Sequence, residues 1–118
     1  MIFSRYASFV EAAPEEALLR AADDVRLIIG ACYSNGVDRA LVHAHNLTPK
    51  FFDLSSGEAG VILQKLRTYK IRLAVVCPPG EVRFSTHFGE MAAEEARTGQ
   101  FRLFESAAAG RAWLSGGK

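Results

Sequence analysis

The sequence predicts an α/β fold, a single-domain sandwich in which strands and helices alternate in the order β-α-β-α-β-α-β-α. Short apolar runs typical of buried strands alternate with longer segments whose apolar residues recur every three or four positions. This alternation favours a mostly parallel sheet with right-handed crossovers, covered by helices on one or both faces. A chain of 118 residues fits one such domain. We place the domain at residues 1–114 and a flexible tail at residues 115–118.

Local signals set the predicted boundaries. Pro14 fits the first turn of a helix, and Ser34-Asn35-Gly36 is a helix stop. Pro78-Pro79-Gly80 breaks a strand, and Ser106 can cap a helix. The predicted elements are a strand over residues 1–10, a helix over 18–34 with a break near 20–23, a strand over 38–44, a helix over 57–69, a strand over 71–76, a helix over 84–98, a strand over 101–104 and a helix over 106–114.

The composition restricts the function. Fourteen lysines and arginines against thirteen aspartates and glutamates give a net charge of +1, which argues against nucleic-acid binding, since that normally requires a basic stripe. No apolar run approaches the roughly 20 residues that a membrane-spanning helix needs, and the N-terminus lacks a signal-peptide core. Cys32 and Cys77 lie in apolar stretches, as reduced core cysteines do. We expect a cytoplasmic protein that binds neither nucleic acid nor membranes.

The most informative stretch is residues 43–60, where a buried strand ends and a helix begins. In open α/β sheets, ligands and partners bind at this carboxyl edge. Two roles stay open for Ser55 and Ser56, which precede the helix. They cap it while Asp53 secures the preceding turn, or they carry or hold a phosphate that the helix N-terminus stabilises.

Two residue pairs near this helix lead to packing predictions. Gly57 and Gly60 are costly in a helix, which indicates a close approach of the backbone to a neighbouring strand or to a ligand. Phe51 and Phe52 are adjacent, so on a regular element they should point in different directions. We expect Phe52 to be buried and Phe51 to be half-exposed, where it could contact a partner or a second copy of the chain.

The histidines and Cys77 raise the question of a metal or a catalytic site. His43 and His45 alternate along a strand end, so they would point the same way and could share a metal ion. Only His87 and Asp53 are candidates to complete the ligand set, and we expect neither a metal nor a cofactor. Cys77 would need a base such as His45 or His87 to act as a nucleophile, and no spacing requires that arrangement. We therefore expect no enzymatic activity.

A block in the middle of the chain carries a family resemblance. It comprises Asn46-Leu47-Thr48-Pro49, Phe51-Phe52-Asp53-Leu54, Gly57, Ala59-Gly60, Ile62-Leu63-Gln64-Lys65, Tyr69 and Arg72-Leu73-Ala74-Val75-Val76. This block resembles a family of small uncharacterised bacterial proteins, and the similarity extends from about Val25 to Leu114. The family is one of unknown function, so the resemblance implies no reaction. The chain departs from the family pattern at His45, Ser55 and Val61, where an acidic residue, a basic residue and a glutamate are usual, and over residues 77–86.

A second, more distant resemblance concerns Asp53-Leu54-Ser55-Ser56-Gly57, followed by an aliphatic helix and a strand at residues 72–76. This arrangement is similar to the sulfate-transporter and anti-sigma-factor-antagonist (STAS) fold, which has the same element order. Regulatory members of that fold are phosphorylated on a serine at this helix start. In their motif the serine directly follows the aspartate. Here Leu54 intervenes, so the implied phosphorylation falls on Ser55 or Ser56 without a decision between them.

These observations together lead to a functional expectation. We expect a STAS-like regulatory module without enzymatic activity, which docks an unidentified protein partner near Asp53 and is switched by serine phosphorylation. The alternative is a small-molecule-binding protein that holds an anionic ligand at the same strand edge. A homodimer is a further candidate assembly. The candidate binding or phosphorylation residues are Asp53, Ser55, Ser56, Gly57, His43, His45 and Asn46.

Overall fold

The computed structural model describes residues 3–14, 22–80 and 84–116. Within these ranges it has five strands and four α-helices. No helix of the described ranges is long and apolar enough to cross a membrane. In chain order the elements are β1 (Phe3–Arg5), β2 (Val10–Ala12), α1 (Val25–Asn35), β3 (Arg39–His43), α2 (Glu58–Thr68), β4 (Arg72–Val76), α3 (Thr86–Thr98), β5 (Phe101–Phe104) and α4 (Ala107–Ser115).

The strands form one sheet in the order β1-β2-β3-β4-β5. Strand β1 pairs antiparallel with β2, and every following pair is parallel. In the centre of the sheet, Leu41 of β3 lies opposite Ala74 of β4, which lies opposite Arg102 of β5. The α/β class and the mostly parallel sheet predicted from the alternating pattern are confirmed.

Residues 3–12 form a hairpin, so the prediction of a single N-terminal strand is wrong. The chain turns between β1 and β2, where the Tyr6 N–H donates to the Phe9 carbonyl at 2.8 Å. The Tyr6 and Phe9 rings stack across this turn with centroids 4.8 Å apart. Ala7 and Ser8 at its tip have small side chains, which suit a tight turn. The loose alternation of the sequence reflects two short strands.

The described part of the first predicted helix begins with a 3-10 turn, Ala22–Asp24, and continues as α1. The start of α1 after Asp24 agrees with a fresh helix near the two aspartates. The predicted stop is confirmed, because Gly36 closes α1 in the left-handed conformation with φ 66°. Leu18 and the rest of residues 15–21 lie outside the described residues.

The remaining helices begin and end close to the predicted positions. Helix α3 begins at Thr86, and its Ser85 cap accepts a hydrogen bond from the Phe88 N–H. Ser106 caps α4 as predicted, accepting from the Ala109 N–H at 3.2 Å. Helix α4 extends to Ser115, one residue into the predicted tail, and residues 117 and 118 lie outside the described residues.

Two cores lie on the two faces of the sheet. On one face, buried side chains of β2 to β5 pack against α1, α2 and α3. On the other face, Leu41 and Ala74 pack with Leu114 of α4. Helix α4 comes close to the sheet, since a Cβ atom on Gly110 would lie 2.9 Å from Leu41 Cδ1. In the described part of the chain, three helices therefore lie on one side of the sheet and one lies on the other.

Phe51 and Phe52 are both buried, so the prediction that Phe51 is half-exposed is wrong. They lie on a 3-10 turn, Pro49–Phe52, where successive side chains diverge by about 120°. Core residues surround this turn on enough sides to bury both rings. The centroid of Phe51 lies 5.8 Å from that of Phe88, and the centroid of Phe52 lies 5.5 Å from it.

Candidate functional site

The carboxyl ends of β3, β4 and β5 lie at one edge of the sheet because these strands run parallel. The chain leaves β3 at His43 and enters α2 at Glu58. We call residues 44–57 the β3–α2 loop. The candidate residues of the sequence analysis all lie in this loop or at His43. Three 3-10 turns build the loop: Ala44–Asn46, Pro49–Phe52 and Leu54–Ser56.

Asn46 anchors the beginning of the loop. Its side chain is completely buried. Its Oδ1 accepts from the His43 backbone N–H at 2.6 Å, and its Nδ2 donates to the Ala13 carbonyl at 2.8 Å. The side-chain amide thus joins the end of β3 to the chain that follows β2. This arrangement assigns Asn46 a structural role and keeps its side chain away from any ligand in solution.

His43 and His45 lie in different environments, so the prediction that they alternate on one strand is wrong. The strand ends at His43, and residues 44–46 form a 3-10 turn. The imidazole of His43 is largely buried, with Nε2 at 3.8 Å from Glu11 Oε2, whereas His45 is exposed. Among the described residues, no group of three histidines, cysteines, aspartates or glutamates could hold a metal ion.

Asp53 and Ser55 form a local turn in the middle of the loop. The Asp53 Oδ1 atom accepts hydrogen bonds from the Ser55 N–H at 3.2 Å and from the Ser55 Oγ at 2.7 Å. Both residues are exposed. An aspartate that binds the backbone two residues ahead is a common way to build a turn. Asp53 therefore secures the turn before α2, as one of the two open roles predicts.

Ser56 connects two segments of the loop through its hydroxyl group. The Ser56 Oγ donates to the Lys50 carbonyl at 2.6 Å and accepts from the Glu58 N–H at 3.2 Å. Glu58 is the first residue of α2, and its Oε1 accepts from Thr48 Oγ1 at 3.1 Å. One exposed hydroxyl therefore holds the turn Pro49–Phe52 against the start of the helix.

Gly57 is needed for its backbone conformation, and neither Gly57 nor Gly60 makes the close approach that the sequence analysis predicts. Gly57 precedes α2 with φ 79°, in the left-handed region that residues with a Cβ atom adopt at a cost. A Cβ atom at Gly57 or at Gly60 would meet nothing within 4 Å. The predicted approach to a neighbouring strand is therefore wrong, because this helix start is open and exposed. The approach to a ligand stays a prediction.

The charges near this helix start do not favour a small anion. Within the described β3–α2 loop and the first residue of α2, Lys50 is accompanied by the carboxylates of Asp53 and Glu58. An anion here would depend on the N–H groups and the dipole of α2.

Two concave surfaces border the loop at the same sheet edge. A shallow depression of about 340 Å³ is lined by Pro49, Phe52, Asp53, Phe84 and Ser85. A cleft of about 390 Å³ lies beyond the ends of β4 and β5, and its described lining contains no histidine. The residues of this cleft are Cys77, Pro78, Pro79, Gly80, Phe84, Leu103, Phe104 and Glu105.

Phe84 borders the candidate site, whereas the sequence analysis places it at the start of the helix predicted over residues 84–98. Its side chain is 42% exposed, and it lines both concave surfaces. It stacks on buried Phe52 with a centroid distance of 6.5 Å. Its position directly before the Ser85 cap could have placed it outside the helix, because a residue before the N-cap often packs from outside the first turn.

Comparisons with known proteins give a family but no activity. No curated protein and no solved structure matches this chain. A family model described as a domain of unknown function, DUF4180, matches residues 5–114. The match spans nearly the whole chain and agrees with the resemblance to an uncharacterised family. The chain therefore belongs to this family of domains of unknown function.

Proposed function

We propose that this chain is a STAS-like regulatory module that binds a protein partner through the β3–α2 loop, and that phosphorylation of Ser56 switches this binding. The observation that carries the proposal is the Ser56 hydroxyl, which is exposed and yet bridges the Lys50 carbonyl and the Glu58 N–H. A kinase can reach an exposed hydroxyl, and a change at this one atom affects both segments that it joins.

The geometry favours Ser56 over Ser55 as the phosphorylated residue. The Ser55 Oγ lies 2.7 Å from Asp53 Oδ1, so a phosphate on Ser55 would meet a carboxylate. The Ser56 Oγ lies 3.2 Å from the first N–H of α2. A phosphate there would accept hydrogen bonds from the helix N-terminus and would be stabilised by the helix dipole.

Phosphorylation of Ser56 would also rearrange the loop. The phosphorylated oxygen has no proton, so the hydrogen bond to the Lys50 carbonyl would be lost. The added group carries close to two negative charges beside Asp53 and Glu58. The turn Pro49–Phe52 would lose its link to α2, and the charge of the exposed surface would change. Both effects would alter the affinity of a partner docked on this loop.

The depression beside Asp53 supports a protein partner. It combines a carboxylate with the exposed ring of Phe84, and aromatic side chains contribute strongly to binding at protein interfaces. A second copy of the chain and an unrelated protein both remain candidates for this surface. The proposed cytoplasmic location is consistent with a kinase-dependent switch. The alternative, an anionic small molecule at this edge, is less well supported, because one lysine accompanies two carboxylates there.

Phosphate mapping tests the assignment of Ser56. We expect mass spectrometry of the protein purified from its native cells, over several growth conditions, to find phosphate on Ser56 and not on Ser55. A Ser56→Ala variant expressed in the same cells is the control, and its phosphopeptide should be absent. Phosphate on Ser55, or its absence from both serines in every condition, would contradict the proposal.

A further inference from the structure

Strand β5 forms a free edge of the sheet. In the described part of the chain, β5 is the last strand and pairs with β4 alone. The Phe104 carbonyl accepts from the Cys77 N–H at 2.7 Å, so the backbone groups of Phe104 face β4. Because this direction alternates along a strand of a parallel pair, the N–H and C=O groups of Phe101 and Leu103 point away from the sheet. Such an outward row of backbone groups is a template for a further strand.

The side chains of β5 suit an antiparallel pairing with β5 of a second copy of the chain. If Leu103 lies opposite Leu103 of the second copy, Arg102 lies opposite Phe104. Within one chain the Arg102 guanidinium already lies over the Phe104 ring, 5.3 Å from its centroid, so this register repeats a favourable cation–π contact between the copies. The neighbouring register places Arg102 opposite Arg102, and like charges in that position are destabilising.

Helix α3 packs on β5, and its two flanks differ in side-chain size. One flank carries Glu95, which binds Arg67 of α2 at 2.7 Å and therefore faces α2. The other flank lies beside the free edge of the sheet. It carries Gly89, Ala93 and Ala96, which are four and three residues apart and so share one side of the helix. Small side chains at a contact allow two helices to pack closely, so α3 leaves room for α3 of a second copy.

The charges that border this flank of α3 are complementary to themselves. The side chains of Glu90 and Arg97 are 71% and 79% exposed, and they lie two helical turns apart. In an antiparallel pair of α3 helices centred at Ala93, Glu90 of each copy lies beside Arg97 of the other. Within one chain, Glu90 lies 3.6 Å from His87 and Arg97 lies 3.1 Å from Glu94. Both are exposed pairs, which contribute little stability and can be rearranged.

One twofold axis serves both the strand pair and the helix pair. Ala93 lies about 7.5 Å along the helix axis from the last residue of α3, Thr98. Leu103 lies about 7 Å along the strand from the first residue of β5, Phe101. Because α3 ends two residues before β5 begins, the two centres lie at a similar height. A short edge strand with a charged residue can also protect a sheet from association, and this agreement between strand and helix favours association here.

We propose that two copies of the chain form a symmetric dimer through β5 and α3, in which the two sheets join into one continuous sheet. A single twofold axis is the commonest symmetry of protein oligomers. The half-buried side chains of Leu103 from the two copies meet near the axis, beneath the paired α3 helices. The interface does not use the β3–α2 loop, so this inference is independent of the proposed function.

Sedimentation velocity over a range of protein concentrations tests the dimer. We expect the wild type to associate reversibly into a dimer. Ala93→Glu places two carboxylates together near the twofold axis, so it should raise the dimer Kd by about tenfold or more. Ala108→Glu is the matched control, because it makes the same change at an exposed alanine of α4, away from the interface. This variant should keep the wild-type Kd.

A charge exchange tests the orientation of the two copies. Glu90→Arg and Arg97→Glu should each weaken the dimer severalfold, since each places like charges side by side. The double variant should recover most of the wild-type affinity, because the charges are complementary again. A wild type that is monomeric at every concentration, a wild-type Kd in Ala93→Glu, an equal loss in Ala108→Glu, or a double variant no better than the single variants would each overturn the proposal.

Discussion

The Cys32 thiol lies between α1 and the beginning of β3, with its Sγ at 3.6 Å from the Arg39 carbonyl. Burial raises the pKa of this thiol from 9.0 to about 12, and the Asp38 carboxylate adds to the shift. The thiolate is the reactive form of cysteine. Cys32 is therefore protected from alkylation and oxidation at neutral pH, which fits a core residue.

The raised pKa of Cys32 predicts a loss of stability at high pH. In the unfolded chain the thiol ionises near pH 9, whereas the folded chain retains the proton up to about pH 12. The contribution to the free energy of unfolding is therefore complete below pH 9 and is lost from there to pH 12. Urea denaturation should show that the wild type loses about 1 kcal/mol more than Cys32→Ala between about pH 7 and about pH 10. Equal losses would contradict this account.

Individual side-chain roles follow from the sequence only where the partners are close in the chain. The side chains of Ser106 and Asp53 accept hydrogen bonds from backbone N–H groups three and two residues ahead, and the sequence predicts both roles. The Asn46 amide contacts the Ala13 carbonyl across 33 residues, and no local pattern contains that information. Candidate residues at a strand end can therefore be structural anchors.

At the scale of the element, the start of α2 shows why two nearby glycines differ. Gly57 has φ 79°, whereas Gly60 lies inside the helix on an open surface. We expect Gly57→Ala to lower the free energy of unfolding by about 1 kcal/mol, because it forces a Cβ atom into the left-handed region. Gly60→Ala should raise it by about 0.5 kcal/mol through better helix propensity. Chemical denaturation of the two variants checks this, and changes of the same sign would contradict it.

Helix α4 is held to the sheet by a contact that joins the two ends of the chain. Arg111 donates to both carboxylate oxygens of Glu11 at 2.8 and 2.7 Å, across 100 residues. Glu11 is 8% exposed, and this hydrogen bond raises the pKa of the Arg111 guanidinium. The helix itself was predictable from its cap and periodicity. The position of α4 on the second face of the sheet could not be predicted, because it depends on this long-range pair and on the close approach at Gly110.

At the scale of the whole molecule, the alternation of strand-like and helix-like segments predicts the parallel sheet but does not predict the N-terminal hairpin. Strands β3, β4 and β5 are mostly apolar, with a charged residue in each, and a helix separates each strand from the next. Residues 3–12 contain two strands of three residues each, too short for a periodic signal. The predicted exposure of Phe51 is wrong for a related reason, since a 3-10 turn follows neither helix nor strand periodicity.

The net charge of the chain does not show how the charged residues are distributed over its surface. A value of +1 argues against nucleic-acid binding, yet the fold gathers Arg39, Arg67, Lys70 and Arg72 around one cleft. These four residues come from two separate parts of the sequence and meet because the parallel strands β3 and β4 begin at the same edge of the sheet. The β3–α2 loop at the other edge carries the serines. These cationic residues and the serines therefore lie at opposite edges of the sheet.

Affinity capture with Ser56 variants tests the central claim most directly. The tagged wild type, Ser56→Asp and Ser34→Asp would be incubated with lysate of the native cells, and the retained proteins quantified by mass spectrometry. Ser34→Asp is the matched control, because it places the same charge on an exposed serine at the end of α1. We predict a stoichiometric protein partner whose recovery changes at least severalfold with Ser56→Asp and stays at the wild-type level with Ser34→Asp. Equal recovery with all three proteins, or recovery of the bait alone, would contradict the account.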